Sequence, residues 1–463
     1  MKYARKSIGN VVTGKSAART GSHPAPPARL ARLLAAGALL LAGCGGAPLS
    51  QISLMPAPEV YEEGKIDPFL DNDPISRGEL PQLLYATDRA PAAADDDRGD
   101  RHYTDERGGV LRLGAASVRL GVEDTITWEE ARRISLLKNR TEDYPLEVDR
   151  VVEYGALAST IRPFDDRFRP EQEPGRRFSA EIDRQLERSG RRDVFIYVHG
   201  YKVVFENPIL VATELWHFLG YQGAFVAFSW PSTPSTFRYF SDLEDAQISG
   251  RSLRSLILHI AGTTEAERIH VLGYSAGTRV VTKMLGDLGM FGYLRGIEEL
   301  KAHTKLGNVI LVGSDVDQEI LAGYLLDGGL RVPDSLTIYQ SSTDKALGMS
   351  RFVFGRDRSG QVVDRGHLGP RAREFFAAHP EIRFINISGA EGSATGNGHG
   401  YFRSSPWVSS DVLMTLMYDL APAERGLVRD ADGVRWRFSA DYIDRLRGAL
   451  ARANPAFAER SPR

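Results

Sequence analysis

The segment that most constrains the fold is residues 268–285, where a short apolar run leads into Gly-x-Ser-x-Gly and then a helical pattern. A strand can turn sharply into a helix only when the residues flanking the bend carry almost no side chain, as Gly273 and Gly277 do. The serine at the bend, Ser275, is then exposed at a helix N-terminus, where partial positive charge favours a developing anion. The strand-turn-helix context therefore predicts a nucleophile elbow rather than a plain glycine-rich turn.

Length and charge narrow the class of protein. The 463 residues suffice for one large α/β domain with additional segments. The 58 Lys and Arg residues nearly balance the 60 Asp and Glu residues, and no basic stripe lies outside the first fifty residues. The composition therefore gives no indication of a nucleic-acid partner, and it leaves the oligomeric state open.

The first fifty residues carry basic but no acidic side chains. The apolar run at 33–41 is too short to span a bilayer, which takes about 20 residues, and small residues follow it up to Cys44. Cys44 is the only cysteine, and its setting resembles the lipobox of bacterial lipoproteins, in which the cysteine is lipidated. The alternative is an incidental thiol in an ordinary signal peptide. The resemblance implies a lipid-anchored protein of the bacterial cell envelope, at the outer membrane and facing the periplasm.

Composition shifts along the chain predict five segments. Residues 1–44 are expected to be the lipoprotein signal peptide, and residues 45–80, rich in Pro, Gly and acids, a flexible tether. Residues 81–178 are expected to form an N-terminal extension packing on the core. Residues 179–425 are expected to be the catalytic α/β domain, and residues 426–463 a C-terminal helical tail.

Within the catalytic segment, apolar runs alternate with helical patterns. The run Asp193–Val198 is continuous, as in a strand buried on both faces. Further strands are expected at 224–229, 308–312, 336–340 and 383–387, besides the one that begins at residue 268 and runs into Gly273 of the elbow. Strands that alternate with helices predict an α/β fold with a mostly parallel central sheet and helices on both faces.

A serine nucleophile needs a base, and in the α/β-hydrolase arrangement the chain order is serine, acid, histidine. Four histidines follow the elbow. His303 precedes the next strand, and His379 lies just before a strand, at the wrong end of the sheet. His367 lies in a loop and stays a candidate. His399 follows a strand in a Gly-rich loop at the carboxyl end, so His399 is the predicted base.

Two acids compete to orient that base. Asp344 follows the second strand beyond the elbow, whereas Asp315 and Asp317 follow the first. The order of the fold favours Asp344 and leaves Asp315 as the alternative. The Asp-x-Asp pair has the donors for a cation, but no further carboxylate cluster accompanies it, and a helix cap is its default role. No metal or organic cofactor is expected.

The oxyanion formed from a substrate carbonyl needs backbone N–H donors. The predicted donors are Ala276, directly after the serine, and Tyr201, in the loop after the first central strand. His199 is expected to order that loop rather than act as a base. Trp230 is expected to pack either against the site wall or in the core.

Seven short segments occur in a familiar order, at residues 85–89, 106–108, 198–201, 228–232, 273–277, 341–347 and 399–401. Together they resemble a largely uncharacterised bacterial family of α/β-hydrolases, esterase- or lipase-like, with a domain of unknown function. The resemblance covers about residues 80–420 and implies the α/β-hydrolase fold, with Ser275, Asp344 and His399 at the triad positions. The family usually has His-Ser-Met-Gly at the elbow and Asn after His-Gly-Tyr, where this chain has Tyr-Ser-Ala-Gly and Lys202.

These observations predict a serine hydrolase that cleaves a carboxylic ester through an acyl-enzyme. The expected partner is a small-molecule ester or acyl substrate, together with a membrane reached through Cys44. An acyltransferase or amidase with the same triad is the enzymatic alternative, and an envelope scaffold without turnover is the non-enzymatic one. Neither the substrate nor the length of its acyl chain follows from the sequence, because the fold does not fix function.

Overall fold

The structure, a computed structural model, describes most of the chain after residue 49. Cys44 and the signal segment lie outside the described residues, as does His367. The described ranges are 50–64, 66–69, 82–93, 102–121, 126–165, 167–235, 238–362 and 370–454.

The strands in these ranges form one twelve-stranded sheet, in the order β1-β4-β3-β2-β6-β5-β7-β8-β9-β10-β12-β11. From β2 through β12 each neighbouring pair is parallel, whereas β1, β4 and β3 at one edge and β11 at the other are antiparallel. The strands are β1 Gln51–Ser53, β2 Leu83–Pro91, β3 Tyr103–Leu120, β4 Pro145–Ala156, β5 Asp193–Val198, β6 Ala224–Ser229, β7 Arg268–Tyr274, β8 Leu306–Val312, β9 Ser335–Gln340, β10 Ile382–Asn386, β11 Val428–Arg429 and β12 Trp436–Arg437.

Helices connect the parallel strands and cover the sheet. They are α1 Trp128–Ser135, α2 Glu173–Ser189, α3 Glu206–Phe218, α4 Tyr239–Thr263, α5 Gly277–Arg295, α6 Ile297–Thr304, α7 Gln318–Leu326, α8 Lys345–Phe354, α9 Pro370–Ala378, α10 Tyr401–Ser404, α11 Pro406–Met417 and α12 Tyr442–Ala453. Short 3-10 helices lie at Glu59–Gly64, Ala158–Thr160 and Gly329–Arg331.

Two apolar cores lie on opposite faces of the sheet, because successive side chains of a strand point to opposite sides. In β5, Phe195 and Tyr197 face the core formed with α3, α11 and α12, whereas Val194 and Ile196 face the core formed with α2, α4 and α5. All six residues of β5 are buried. Burial on both faces explains the uninterrupted apolar run in the sequence and confirms the predicted α/β fold with a mostly parallel sheet.

Helix α2 illustrates how the local sequence determines where a helix begins, where it ends and which face it buries. Pro174 stands in its first turn and Gly190 ends it at φ 71°, a conformation that glycine adopts without steric cost. Phe178, Ile182 and Leu186 recur every four residues and are buried against the sheet. The helix begins at Glu173, within the segment expected to be the N-terminal extension, and continues into the predicted catalytic segment.

The described part of the expected tether is folded. Strand β1 pairs with β4, and Leu54, Met55 and Val60 belong to the core beside α3 and α11. The prediction of a flexible segment over 45–80 is therefore wrong for residues 50–64 and 66–69. The apolar residues of this segment are spaced irregularly among prolines and acidic residues, so the sequence shows neither a helical nor a strand period.

The N-terminal extension and the C-terminal tail both add strands to the central sheet. Strand β2 pairs in parallel with β6, and β3 and β4 extend that edge. The tail contributes β12, which pairs with β10, before α12 begins. The segments predicted as an N-terminal extension packing on the core and as a C-terminal helical tail therefore also contribute strands to the central sheet. Strand β4 was missed because only one of its residues, Leu146, is buried.

Candidate active site

The elbow lies between β7 and α5. Ser275 adopts φ 52°, and its N–H donates to the carbonyl of Val312 at 2.9 Å. A Cβ atom added to Gly277 would lie 2.1 Å from the carbonyl oxygen of His199, so β5 and the elbow approach too closely for any side chain. The positive φ of a non-glycine residue is a strained conformation of the kind found at functional sites.

Three side chains form one hydrogen-bonded series at this bend. The Ser275 Oγ lies 2.8 Å from Nε2 of His399, and Nδ1 of the same ring lies 2.7 Å from Oδ2 of Asp344. The carboxylate can only accept, so Nδ1 carries the proton and Nε2 is left to accept the serine proton. The structure thus brings together the three residues that the sequence placed far apart.

Backbone contacts hold the acid and the histidine in place. Asp344 caps the N-terminus of α8, and its Oδ1 accepts from the N–H of Leu347 at 3.0 Å, which leaves Oδ2 for the imidazole. Asn397 joins the two loops, because its carbonyl accepts from the N–H of Lys345 and its side chain accepts from the N–H of His399. The loop that carries the base is therefore tied to the loop that carries the acid.

The imidazole of His399 is buried and crowded. The ring centroid of Tyr274 lies 5.2 Å away, and a Cβ atom on Gly313 would lie 3.0 Å from Cε1 of the ring. Burial disfavours the charged imidazolium, but the charge and hydrogen bond of Asp344, with a further contribution from Asp315, hold the pKa of His399 above its usual value. The site therefore stabilises the imidazolium that forms when the ring accepts a proton.

The alternative acid, Asp315, has other partners. Its Oδ1 accepts from the hydroxyl of Ser350 at 2.5 Å, and its Oδ2 accepts from Tyr239 and from Arg279 Nε at 3.3 Å. Arg358 lies 3.6 Å from the same carboxylate. Asp315 thus lies in a buried network around two arginines, and its contribution to His399 is Coulombic rather than a hydrogen bond.

The other residues weighed in the sequence have ordinary structural partners. Asp317 caps α7 by accepting from the N–H groups of Glu319 and Ile320. His303 contacts the carbonyl of Glu299 on its own helix, and His379 pairs with Glu381. None of these contacts joins the Ser275 series.

The predicted oxyanion donors lie beside the serine. A Cβ atom on Gly200 would lie 2.8 Å from Cβ of Ser275, so the loop after β5 packs directly against the elbow at this glycine. Tyr201 is the next residue, and its peptide N–H therefore lies near the serine. Within the described ranges, the backbone N–H groups of Tyr201 and Ala276 donate to no protein acceptor. The Tyr201 hydroxyl donates to the carbonyl of Ser235 at 2.6 Å, which anchors the side chain.

His199 and Trp230 together order the floor of this loop. Their rings stack with centroids 5.2 Å apart, and Nε1 of Trp230 donates to the carbonyl of His199 at 2.7 Å. Nε2 of His199 accepts from the N–H of Trp230, and Nδ1 donates to the carbonyl of Gly200 at 2.7 Å. Burial lowers the pKa of His199 well below its usual value. Trp230 is fully buried and belongs to the core.

Two supporting residues were missed by sequence reasoning. The hydroxyl of Tyr401 accepts from the N–H of Gly313 at 2.6 Å and donates to the carbonyl of Tyr339 at 3.2 Å, which links the ends of β8 and β9. Arg403 forms an ion pair with buried Glu214, with Nε 2.6 Å from Oε2. Tyr401 lies in the segment 399–401 that carries the family resemblance, although no role followed from it, whereas for Arg403 only its position four residues after His399 could have been a signal.

A family model described as "Alpha/beta hydrolase of unknown function (DUF900)" matches residues 176–416, which is more than half of the chain. The chain belongs to this family. The membership confirms the sequence resemblance and agrees with the parallel sheet. The matched segment contains Ser275, Asp344 and His399, and it ends before the C-terminal strands and α12.

Other comparisons add no named relative. No curated protein and no solved structure gave a significant match.

In the described part of the chain, no helix combines the length and apolarity needed to cross a bilayer. The same part contains no group of three or more His, Cys, Asp or Glu side chains placed to hold a metal ion.

Proposed function

We propose that this chain is a serine hydrolase that cleaves a carboxylic ester through an acyl-enzyme. The observation that carries the proposal is the series from Ser275 to His399 to Asp344, with distances of 2.8 and 2.7 Å. A weak nucleophile, an imidazole base and a carboxylate in this geometry are the parts that acyl transfer requires.

In the proposed first step, Ser275 Oγ attacks the ester carbonyl while His399 Nε2 takes the serine proton. The carbonyl oxygen becomes an anion, and the N–H groups of Ala276 and Tyr201 donate to it. When the tetrahedral intermediate collapses, the carbon–oxygen bond to the alcohol breaks and His399 returns the proton to that alcohol. Asp344 holds the ring in the required tautomer throughout.

In the second step, water replaces the alcohol. His399 takes a proton from the water as its oxygen attacks the acyl carbon, and the bond to Ser275 Oγ breaks as the proton returns to the serine. The products are a carboxylic acid and the free enzyme. An added alcohol that competes with water would divert the acyl group into a new ester, so product analysis separates hydrolysis from acyl transfer.

The decisive test is Ser275→Ala. Because the nucleophile is lost, kcat on a short p-nitrophenyl ester should fall on the order of a million-fold. Wild-type protein should also be labelled by a fluorophosphonate probe, and the variant should not. Turnover of Ser275→Ala near the wild-type rate would reject the mechanism. An unlabelled wild-type protein without activity on esters or amides would favour the scaffold alternative.

We also propose that Cys44 carries a lipid anchor, which rests on the lipobox-like sequence alone. Strand β1 starts at Gln51, so six residues separate the cysteine from the sheet and span at most about 25 Å. Such a short connection would keep the hydrolase close to the membrane surface. Cys44→Ser should abolish metabolic labelling with an alkyne fatty acid and leave kcat of the purified protein unchanged; continued labelling would refute the anchor.

A further inference from the structure

Arg89 ends the segment at residues 85–89, one of those that carry the family resemblance, and the mechanism above gives that segment no role. The residue lies in β2, upstream of the segment that matches the family model. It is 1% exposed, although an arginine is rarely buried without a specific set of partners. Its contacts therefore call for an explanation.

The guanidinium of Arg89 donates to four neutral oxygens. Nη2 donates to the carbonyl of Val203 at 3.1 Å, and Nη1 donates to the carbonyls of Ser232 at 3.4 Å and Thr104 at 3.2 Å. Nε donates to the hydroxyl of Ser229 at 3.0 Å. One planar group thus fastens β3, the loop after β5 and the loop after β6 to the end of β2.

The backbone of β2 aims this side chain inward. Thr87 pairs with Ser229 of β6, and the Thr87 hydroxyl donates to the Ser229 carbonyl at 2.6 Å and accepts from the N–H of Arg89. The pairing of β2 with β3 is irregular on both sides of Arg89. A Cβ atom on Gly108 would lie 2.4 Å from the carbonyl oxygen of Arg89, so the hairpin closes only with glycine there.

Two of the four oxygens that accept from Arg89, those of Val203 and Ser232, lie in the loops around Tyr201, the proposed oxyanion donor. Val203 lies two residues after Tyr201, and the N–H of Lys202 between them donates to the hydroxyl of Ser232 at 2.8 Å. Arg89 therefore holds both the loop that carries Tyr201 and the loop that braces it. Lys202 has φ 67°, so this loop is bent into a conformation that needs such support.

We propose that Arg89 is a positioning residue that holds the backbone N–H of Tyr201 toward the oxyanion formed at Ser275. The inference rests on the proposed function, because it assigns the N-terminal extension a part in that reaction. Burial lowers the pKa of Arg89 to about 10, so the group stays charged at neutral pH and its hydrogen bonds to the carbonyls stay charge-assisted. A lysine has a single nitrogen and cannot reach four separated acceptors.

The test is Arg89→Lys, measured on the full chain. Losing one oxyanion donor elsewhere costs about 10²–10³ in kcat, and a displaced donor should cost about 10–100-fold. KM should change by less than about threefold, because the interaction is made in the transition state. An alkyl boronic acid, which forms a tetrahedral adduct with the serine, should bind more weakly by the same factor as kcat. The acid limb of the pH profile, set by His399, should not move.

The matched control is Arg140→Lys. Arg140 lies in the same extension and donates to four backbone carbonyls, those of Leu54, Met55, Ile134 and Leu137, none of which belongs to a loop that carries Tyr201, Ser275, Asp344 or His399. Its substitution removes a comparable set of hydrogen bonds and should lower Tm by a similar amount. Its kcat and its boronic acid affinity should stay within about threefold of wild type.

The proposal is overturned if Arg89→Lys keeps kcat within about threefold of wild type, or if kcat falls while the boronic acid binds unchanged. A second measurement does not depend on catalysis. Hydrogen exchange of the peptide that spans residues 199–205 should accelerate in Arg89→Lys and not in Arg140→Lys, and equal exchange in both variants would overturn the positioning role. Failure of the proposed function itself would show separately, as wild-type protein with no turnover and no fluorophosphonate labelling.

Discussion

The segment that matches the family and the segments that flank it share one sheet but are built differently. Strand β5, inside residues 176–416, is buried along its whole length, whereas β4, in the N-terminal flank, buries only Leu146 of its twelve residues. A strand covered on both faces has a continuous apolar sequence, and an antiparallel strand with one face toward solvent does not need one. The difference explains why the central strands could be predicted and β4 could not.

Although the flanks bury fewer apolar side chains, a few buried polar contacts join them to the core. Arg425 forms a fully buried ion pair with Asp411 of α11, and in the N-terminal flank the N–H of Met55 donates to Glu214 of α3. Glu214 also pairs with Arg403, four residues after His399. These contacts tie both flanks to the helices beside the candidate site, so both flanks are part of the α/β-hydrolase domain and not appendages.

After Ser275→Ala, the largest effect is expected from Asp344 in the matched segment, where substitutions can tell the roles of Asp344 and Asp315 apart. Asp344→Asn keeps an oxygen to cap α8, but the new amide N–H favours the tautomer of His399 whose Nε2 cannot accept the serine proton. We expect kcat to fall about 10⁴-fold with little change in Tm. Steady-state kinetics on a p-nitrophenyl ester and thermal unfolding provide the measurement.

The control for this substitution is Asp315→Asn. Because Asp315 contacts Arg279 and Arg358 and makes no hydrogen bond to His399, its loss should lower Tm more than Asp344→Asn does, with the smaller loss of kcat. The reverse pattern, with Asp315→Asn giving the larger kinetic loss, would transfer the role of the acid to Asp315.

The next largest effect is expected in the C-terminal flank, where a substitution should lower the free energy of unfolding rather than kcat. Arg425→Met leaves the carboxylate of Asp411 buried without its arginine, while the hydroxyls of Tyr339 and Tyr442 still donate to it. Breaking a buried ion pair in this way should reduce the free energy of unfolding by about 3–5 kcal/mol, measured by urea denaturation.

The matched control for that loss is Arg176→Met, which breaks an exposed ion pair with Glu173 on α2. An exposed pair contributes about 0.5 kcal/mol or less. Equal losses in the two variants would mean that the C-terminal flank is only loosely joined to the core, contrary to the buried contacts.

The smallest effect is the pH dependence of turnover. His399 must be neutral to accept the serine proton, and its raised pKa places the midpoint of the acid limb of kcat/KM above the ordinary value of 6.5. Activity should fall about tenfold per pH unit below that midpoint. Residual activity of Asp344→Asn should show a lower midpoint, and a wild-type midpoint below 6.5 would contradict the predicted shift.

The same pKa shift has the opposite consequence for stability. A group whose pKa is raised by folding stabilises the protein fully below its unfolded value, and that contribution is lost as the pH rises through the folded pKa. The contribution of the His399–Asp344 pair to unfolding free energy should therefore decline over the pH range in which turnover rises. Urea unfolding of wild type and Asp344→Asn across that range measures it.

Much of the fold was predictable because its signals are local. Strands β5 and β6 have the predicted bounds, and the glycines of the elbow indicated its bend. The order of strands likewise limited the base to a histidine near the end of the segment. Residues 50–64 were misjudged, because their burial depends on α3 and α11, which lie far away in sequence.

The sequence by itself determined a parallel sheet, a strained serine at the end of β7 and the chain order of its candidate partners, because backbone periodicity and glycine placement act over a few residues. Only the tertiary structure decided that Asp344 reaches His399 while Asp315 lies among arginines, and that Arg89 fastens the loop of Tyr201. Those outcomes depend on distances between loops brought together by the sheet, and such distances are set by packing rather than by any local pattern.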